Sequence, residues 1–202
     1  MTGMSVSLSK KDKVNLSKIN TGLSAIALGL GWDPAKGKTG FFGLGGSKKD
    51  VDLDASCVML DERGNVVDTV WFRQKVSRDG SIRHSGDNRT GHGAAGDKET
   101  ILVDLKALPS NVKTLAFTVN SFTGQNFNEI ENAYCKVYDN STGTQKELGH
   151  FVLAEKGSHT GIFIASVTKE NGEWDFTAQG KACPGLMIGE MMPTILRELA
   201  LA

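Results

Sequence analysis

Polar and apolar residues alternate along most of this chain. Val6 and Leu8 alternate with Ser7 and Ser9, and Val14 and Leu16 alternate with Asn15 and Ser17. The two pieces echo each other across a polar Lys-Lys-Asp, a pattern that predicts a β-hairpin. Further strands are expected at Leu23–Leu30, Val51–Leu60, Val66–Phe72, Ile101–Leu105, Val112–Val119, Ala133–Tyr138, Glu147–Ala154, Gly161–Val167 and Trp174–Ala178. Turn signals separate them, including Arg63-Gly64-Asn65, Asp79-Gly80, Thr142-Gly143 and Asn171-Gly172. Many short strands at this spacing, with no helical period between them, predict an all-β sandwich of two mainly antiparallel sheets. One helical period stands out, at the C-terminus. Over 189–202, Met192, Ile195, Leu196 and Leu199 share a face, with Pro193 in the first turn. The expectation is one sandwich domain over residues 1–202 that carries a short C-terminal helix.

Two stretches interrupt the strands. Residues 34–49 are rich in glycine and lysine and read as a flexible loop. Residues 85–99 set polar and acidic side chains among glycines, in a loop long enough to suggest a function. Glycine, at 24 residues of 202 against four prolines, points to many tight turns rather than disorder. The balance of 23 basic and 23 acidic residues argues against nucleic acid as a partner. No apolar run approaches a membrane span, and the N-terminal residues lack a secretory core. Three widely spaced cysteines, Cys57, Cys135 and Cys183, form no disulfide framework and suit a reducing cytoplasm.

The strongest chemical signal is acidic. Asp50, Asp52 and Asp54 lie at i, i+2 and i+4, which on a strand places three carboxylates on one face. A hard cation such as Ca²⁺ would relieve their repulsion, and a solvated strand end is the other reading. An EF-hand fails, because Ala55 stands where its turn requires glycine. Asp87, Asn88, Asp97 and Glu99 supply further oxygen ligands from the glycine loop, where Gly91 and Gly96 let backbone carbonyls turn toward an ion. The segment Gly31–Thr39 imitates a phosphate loop, but its spacing is wrong and no helix follows. The four histidines have no zinc spacing, and no nucleophile motif is present, so no catalytic activity is expected.

These residues carry a resemblance. Leu30-Gly31-Trp32-Asp33, Asp52-Leu53-Asp54-Ala55-Ser56 and His84-Ser85-Gly86-Asp87-Asn88-Arg89-Thr90-Gly91 resemble the TerD family of tellurium-resistance and stress-response proteins. Asn120-Ser121-Phe122-Thr123-Gly124-Gln125, Asn132-Ala133 and Gly172-Glu173-Trp174 fit it as well, and Val70-Trp71-Phe72-Arg73 with Met191-Met192-Pro193 looks most like its TerZ branch. The resemblance covers about Ser5 to Gly180. It implies a β-sandwich that binds calcium through Asp52, Asp54, Asp87, Asn88, Gly91, Gly96, Asp97 and Glu99. It also implies a non-enzymatic, cytoplasmic bacterial protein acting with other tellurium-resistance proteins, including a membrane component at the inner face.

The chain departs from the family pattern in the glycine loop. Where the family reads E-G-D-G-D-D-E, residues 92–99 read His-Gly-Ala-Ala-Gly-Asp-Lys-Glu, and Arg73-Gln74 replaces an asparagine pair. Fewer carboxylates and two added cations lower the charge that holds calcium. The expectation is one retained site, or two with one clearly weaker. The alternative is a metal-independent interaction scaffold in which Lys98 and Arg73 take the place of a calcium ion.

Overall fold

The computed structural model describes residues 5–34, 52–86, 96–121, 124–153 and 157–201. They form twelve strands: β1 (Val6–Leu8), β2 (Lys13–Asn15), β3 (Ala25–Pro34), β4 (Leu53–Leu60), β5 (Val66–Val70), β6 (Ile82–His84), β7 (Glu99–Asp104), β8 (Thr114–Ser121), β9 (Ile130–Asp139), β10 (Lys146–Val152), β11 (Gly161–Glu170) and β12 (Glu173–Cys183). Two α-helices, α1 (Leu16–Ile19) and α2 (Ile188–Glu198), and one 3-10 turn at Phe127–Glu129 accompany them. One sheet has the order β1-β10-β9-β3-β7-β6 and the other β2-β12-β11-β8-β4-β5. All pairings are antiparallel except β1 with β10. No helix among the described residues is long and apolar enough to cross a membrane.

The alternation that predicts the strands also builds the core. Ile26, Leu28, Leu30 and Trp32 of β3 face Leu53, Ala55, Cys57 and Met59 of β4, and all are buried in one cluster between the sheets. In β11 the inward row changes parity, from Ile162 and Ile164 to Ala165 and Val167, across an irregularity in pairing between Phe163 and Ala165. A bulge of this kind absorbs one extra residue and keeps both halves of the strand buried.

Two expectations change. The segments around Val6 and Val14 do not form a hairpin. β1 pairs with β10 (Val6 opposite Gly149), whereas β2 pairs with β12 (Val14 opposite Phe176), so the Lys-Lys-Asp link crosses from one sheet edge to the other. Local alternation and a polar turn fit either outcome. Here each strand satisfies its backbone at a separate edge and leans one apolar residue, Leu8 or Val14, on the common core. Strand β6, at three residues, is also an addition to the predicted set, too short for a two-residue period to show.

Helix α2 packs on the outer face of the second sheet. Met191 and Ile195 are buried against Val58, Leu60, Ala116, Phe163 and Cys183, with Ile188, Met192, Leu196 and Leu199 alongside. This explains why β4 is buried on both faces. The helix starts at Ile188, so Pro193 lies inside it rather than in its first turn. Its last turn is tied down by Glu198, which meets Lys11 at 2.8 Å and Lys181 at 3.1 Å.

Hydrogen bonds from Lys11 and then Lys181 push the Glu198 carboxyl down to about 2 from its ordinary 4.5. A carboxylate depressed on folding stabilises the fold above its ordinary range and loses that contribution as pH falls toward about 2. Glu198→Gln is therefore expected to lower Tm by about 1–3 °C at pH 7. Thermal melts of the two proteins should converge as the pH approaches 2, and a constant difference across that range would refute the ion pair's role.

Candidate functional site at the glycine-loop end

The topology gathers the predicted residues toward one end of the sandwich. The C-terminal ends of β3, β6 and β8 and the N-terminal ends of β4 and β7 meet there, in register Leu53 opposite Ser121, Leu30 opposite Glu99 and His84 opposite Ile101. Asp52 is half-buried just before β4, and Asp54 is 3% exposed within it, opposite Asn120. Asn120 donates its side-chain N–H to the carbonyl of Leu186 at 2.7 Å, which ties this strand pair to the approach of α2.

Glu99 joins the two sheets. Its side chain points inward from β7 and accepts the backbone N–H of Ala55 at 2.8 Å. Glu99 is 1% exposed, so this carboxylate satisfies a strand N–H that water cannot reach. The His84 ring lies beside it, Nε2 at 3.2 Å from Oε2, with both side chains shut off from solvent. The approach is off the line of a hydrogen bond, so the contact is electrostatic. Nδ1 of His84 accepts the N–H of Gly86 at 3.1 Å, which in the neutral ring leaves the proton on Nε2, toward Glu99. Ser85 and Thr100 exchange two hydrogen bonds, Ser85 N–H to the Thr100 carbonyl at 2.8 Å and Thr100 N–H to Ser85 Oγ at 2.9 Å. The two stems of the glycine loop are thereby pinned together.

Asp97 takes another direction. Its carboxylate lies over Gly29 on the outer face of the first sheet, where a Cβ on Gly29 would overlap it. Tyr138 donates its hydroxyl to Asp97 Oδ2 at 2.7 Å, while Oδ1 is a buried oxygen without a hydrogen-bond partner. The Tyr134 ring covers Gly31, where a side chain would collide with it. Both phenols are pushed well above their ordinary range, by burial first and by the Asp97 carboxylate second. The outward Gly-x-Gly of β3 is thus a trough for one aspartate and one aromatic ring. Asp97 and Asp54 sit on opposite outer faces of the sandwich, and Glu99 stands between the sheets.

Among the described residues, no group of three or more His, Cys, Asp or Glu side chains is arranged to hold a metal ion. Asp50, Asp87, Asn88 and Gly91 lie outside the described residues, as does most of the 34–49 loop. Asp52, Asp54 and Asp97 contribute oxygen donors, the chemistry that suits a hard cation. Glu99 Oε2 is committed to Ala55. The Arg73 guanidinium lies over the rings of Trp71 and Phe72, at 5.6 and 5.3 Å, and those rings account for its position. Lys98 donates its backbone N–H to the carbonyl of Leu30 at 2.6 Å. The three thiols are buried, and burial pushes each above its ordinary range, which disfavours thiolate chemistry.

The TerD domain family model matches residues 4–192. The chain belongs to the TerD family. It is 52% identical to tellurium resistance protein TerZ of Serratia marcescens over 191 residues, covering 95% of this chain and 97% of that one, and it sits with the TerZ branch. Stress response protein SCP2 of Bacillus subtilis (strain 168) is 38% identical over 188 residues, covering 88% and 92%. A solved homologue of telluride resistance protein (TerD) from Streptomyces coelicolor A3(2) superposes with a TM-score of 0.65 at 20% identity, covering 89% of this chain and 98% of that one. That likeness shows the shared sandwich. Tellurium resistance and stress response are the family's setting. The inward Glu99, the His84 beside it and the Gly29–Gly31 trough with Tyr134 and Tyr138 were not among the predicted roles. The one sequence signal for the trough is a pair of glycines inside a strand, the usual mark of a close approach.

Proposed function

We propose that this TerD-family chain is a non-enzymatic calcium-binding protein of the tellurium-resistance and stress-response system. Calcium binding orders the glycine loop, and the ordered surface engages partner proteins, a membrane component at the inner face among them. The observation that carries the reading is that Asp52 and Asp54 lie at the start of β4, at the same end of the sandwich as the two pinned stems of the loop that contains Asp87 and Asn88. Asp52, Asp54, Asp87 and Asn88 would hold the ion, with Gly91 and Gly96 freeing backbone carbonyls and Asp97 and Glu99 closing the loop behind it. Calcium would supply fixed positive charge among these oxygens.

A second reading, a scaffold that needs no metal, draws support from Asp97. Tyr138 already meets its charge with a hydroxyl donor. In that reading Lys98 and Arg73 would stand in for a cation.

The test is a calcium titration of the chelator-stripped chain, by calorimetry and thermal melting. An ion that binds only the folded state stabilises it by about 2.7 kcal/mol at 100-fold over Kd. For a domain of this size that is a rise of roughly 5–11 °C. Asp54→Asn should abolish both heat and shift. Neither heat nor shift at millimolar calcium would overturn calcium binding and leave the scaffold.

A further inference from the structure

The opposite end of the sandwich carries a cavity of about 460 Å³, between the β4–β5 turn, the entry to β8 and the β11–β12 turn. That volume is within the usual range of small-ligand sites. Most of the residues that line it are polar, and three of its side chains are cationic: Arg63, Lys113 and Lys169. The two lysines stand together for a reason of register. Thr114 and Thr168 are paired across β8 and β11, their hydroxyls 3.2 Å apart, and Lys169 then donates its N–H to the Lys113 carbonyl at 2.9 Å. The lysines are thus neighbours on adjacent antiparallel strands, one pair beyond the threonines. Like charges so placed are destabilising.

Among the described residues neither ammonium group forms an ion pair, and Lys169 rests over the Trp174 ring at 5.5 Å. Two carboxylates line the cavity. Asp61 turns its oxygens into its own turn, where they accept the N–H groups of Arg63 and Asn65 at 2.8 Å each and the Asn65 side-chain amide at 2.9 Å. Glu62 is exposed. Ser110, Asn111 and Asn171 add side-chain donors to the same walls.

We propose that this cavity is a binding site for a small, doubly charged oxyanion of the phosphate-monoester class, with Lys113 and Lys169 as its charge pair and Arg63 as its third contact. An anion between the lysines converts their repulsion into two charge-assisted hydrogen bonds. The site lies at the far end of the strands from the calcium residues and does not depend on them.

The experiment is a titration of the full chain, chelator-treated, with inorganic phosphate and with pyrophosphate. Amide chemical shifts are followed at ionic strength held constant with chloride. Saturable shifts are expected at Arg63, Lys113, Lys169 and Asn171. Each of Lys113→Met and Lys169→Met should weaken binding by about tenfold or more, the value of one charge-assisted hydrogen bond. In phosphate-free buffer Lys113→Met should melt no lower than the parent, because it removes the like-charge pair. If either lysine variant fails to fold, Arg63→Gln in the exposed turn provides the same comparison. No saturation at these amides, identical shifts from chloride alone, or undiminished binding in folded variants would overturn the site.

Discussion

Glu99→Ala is expected to destabilise the fold by about 2–4 kcal/mol, from the buried Ala55 N–H left without its acceptor and from the space the side chain vacates. The carboxylate is the acceptor for the Ala55 N–H and the neighbour of the buried His84 ring. With alanine at 99 the N–H loses its acceptor in a place water does not reach, a cost of about 1–3 kcal/mol on its own. Glu99→Gln keeps a carbonyl oxygen of the same reach and should retain most of the stability. Urea unfolding of the three proteins at pH 7 measures the difference. A Glu99→Ala protein within 1 kcal/mol of the parent, on the order of an ordinary surface change, would mean that the carboxylate does not join the sheets. A double-mutant cycle with His84→Ala then separates the ring's contribution, with a coupling of about 0.5–3 kcal/mol for groups in direct contact.

The second large effect concerns the helix. Ile195 is 0% exposed between α2 and the outer face of the second sheet. Ile195→Ala is expected to cost about 4 kcal/mol, from lost transfer energy and from the cavity left against Val58, Leu60 and Phe163. Urea unfolding provides the number, and limited proteolysis shows where it acts. Cleavage near residue 188 with an unchanged global midpoint would mean that the helix detaches alone and that the sandwich is stable without it. A lowered midpoint with no early cleavage would mean that helix and sandwich unfold as one unit.

The strands were legible because half-buried antiparallel strands write their faces into alternate residues. β5, β7 and β9 alternate in burial and fall where the alternation places them, within a few residues at each end, whereas β4, β8 and β11 are buried on both faces and read as short apolar runs between turn signals. What local pattern cannot state is which edge a short strand joins. The pair at Val6 and Val14 shows this, since a hairpin and a crossover between sheets require the same polar link. The site divides along the same line. Asp52, Asp54, Asp97 and Glu99 were visible as acidic residues near the right turns. Their partition between two outer faces and the interior depends on register across β3, β7 and β4, which no single segment encodes. Gly29 and Gly31 read as interruptions of an apolar run, and only the neighbouring Tyr134 and Tyr138 reveal what they make room for.

The crossover of β1 and β2 also sets the order in which this chain can be completed. Asn15 meets Glu173 from a position 158 residues earlier in the chain, and Ser5 meets Glu147 across 142. At a synthesis rate of about 5–20 residues per second, the first two strands leave the ribosome roughly 8–30 seconds before their partners exist. Contacts this distant in sequence also form slowly in a free chain. The N-terminal strands therefore close both sheets last, and until then β10 and β12 present unpaired edges to any neighbouring chain.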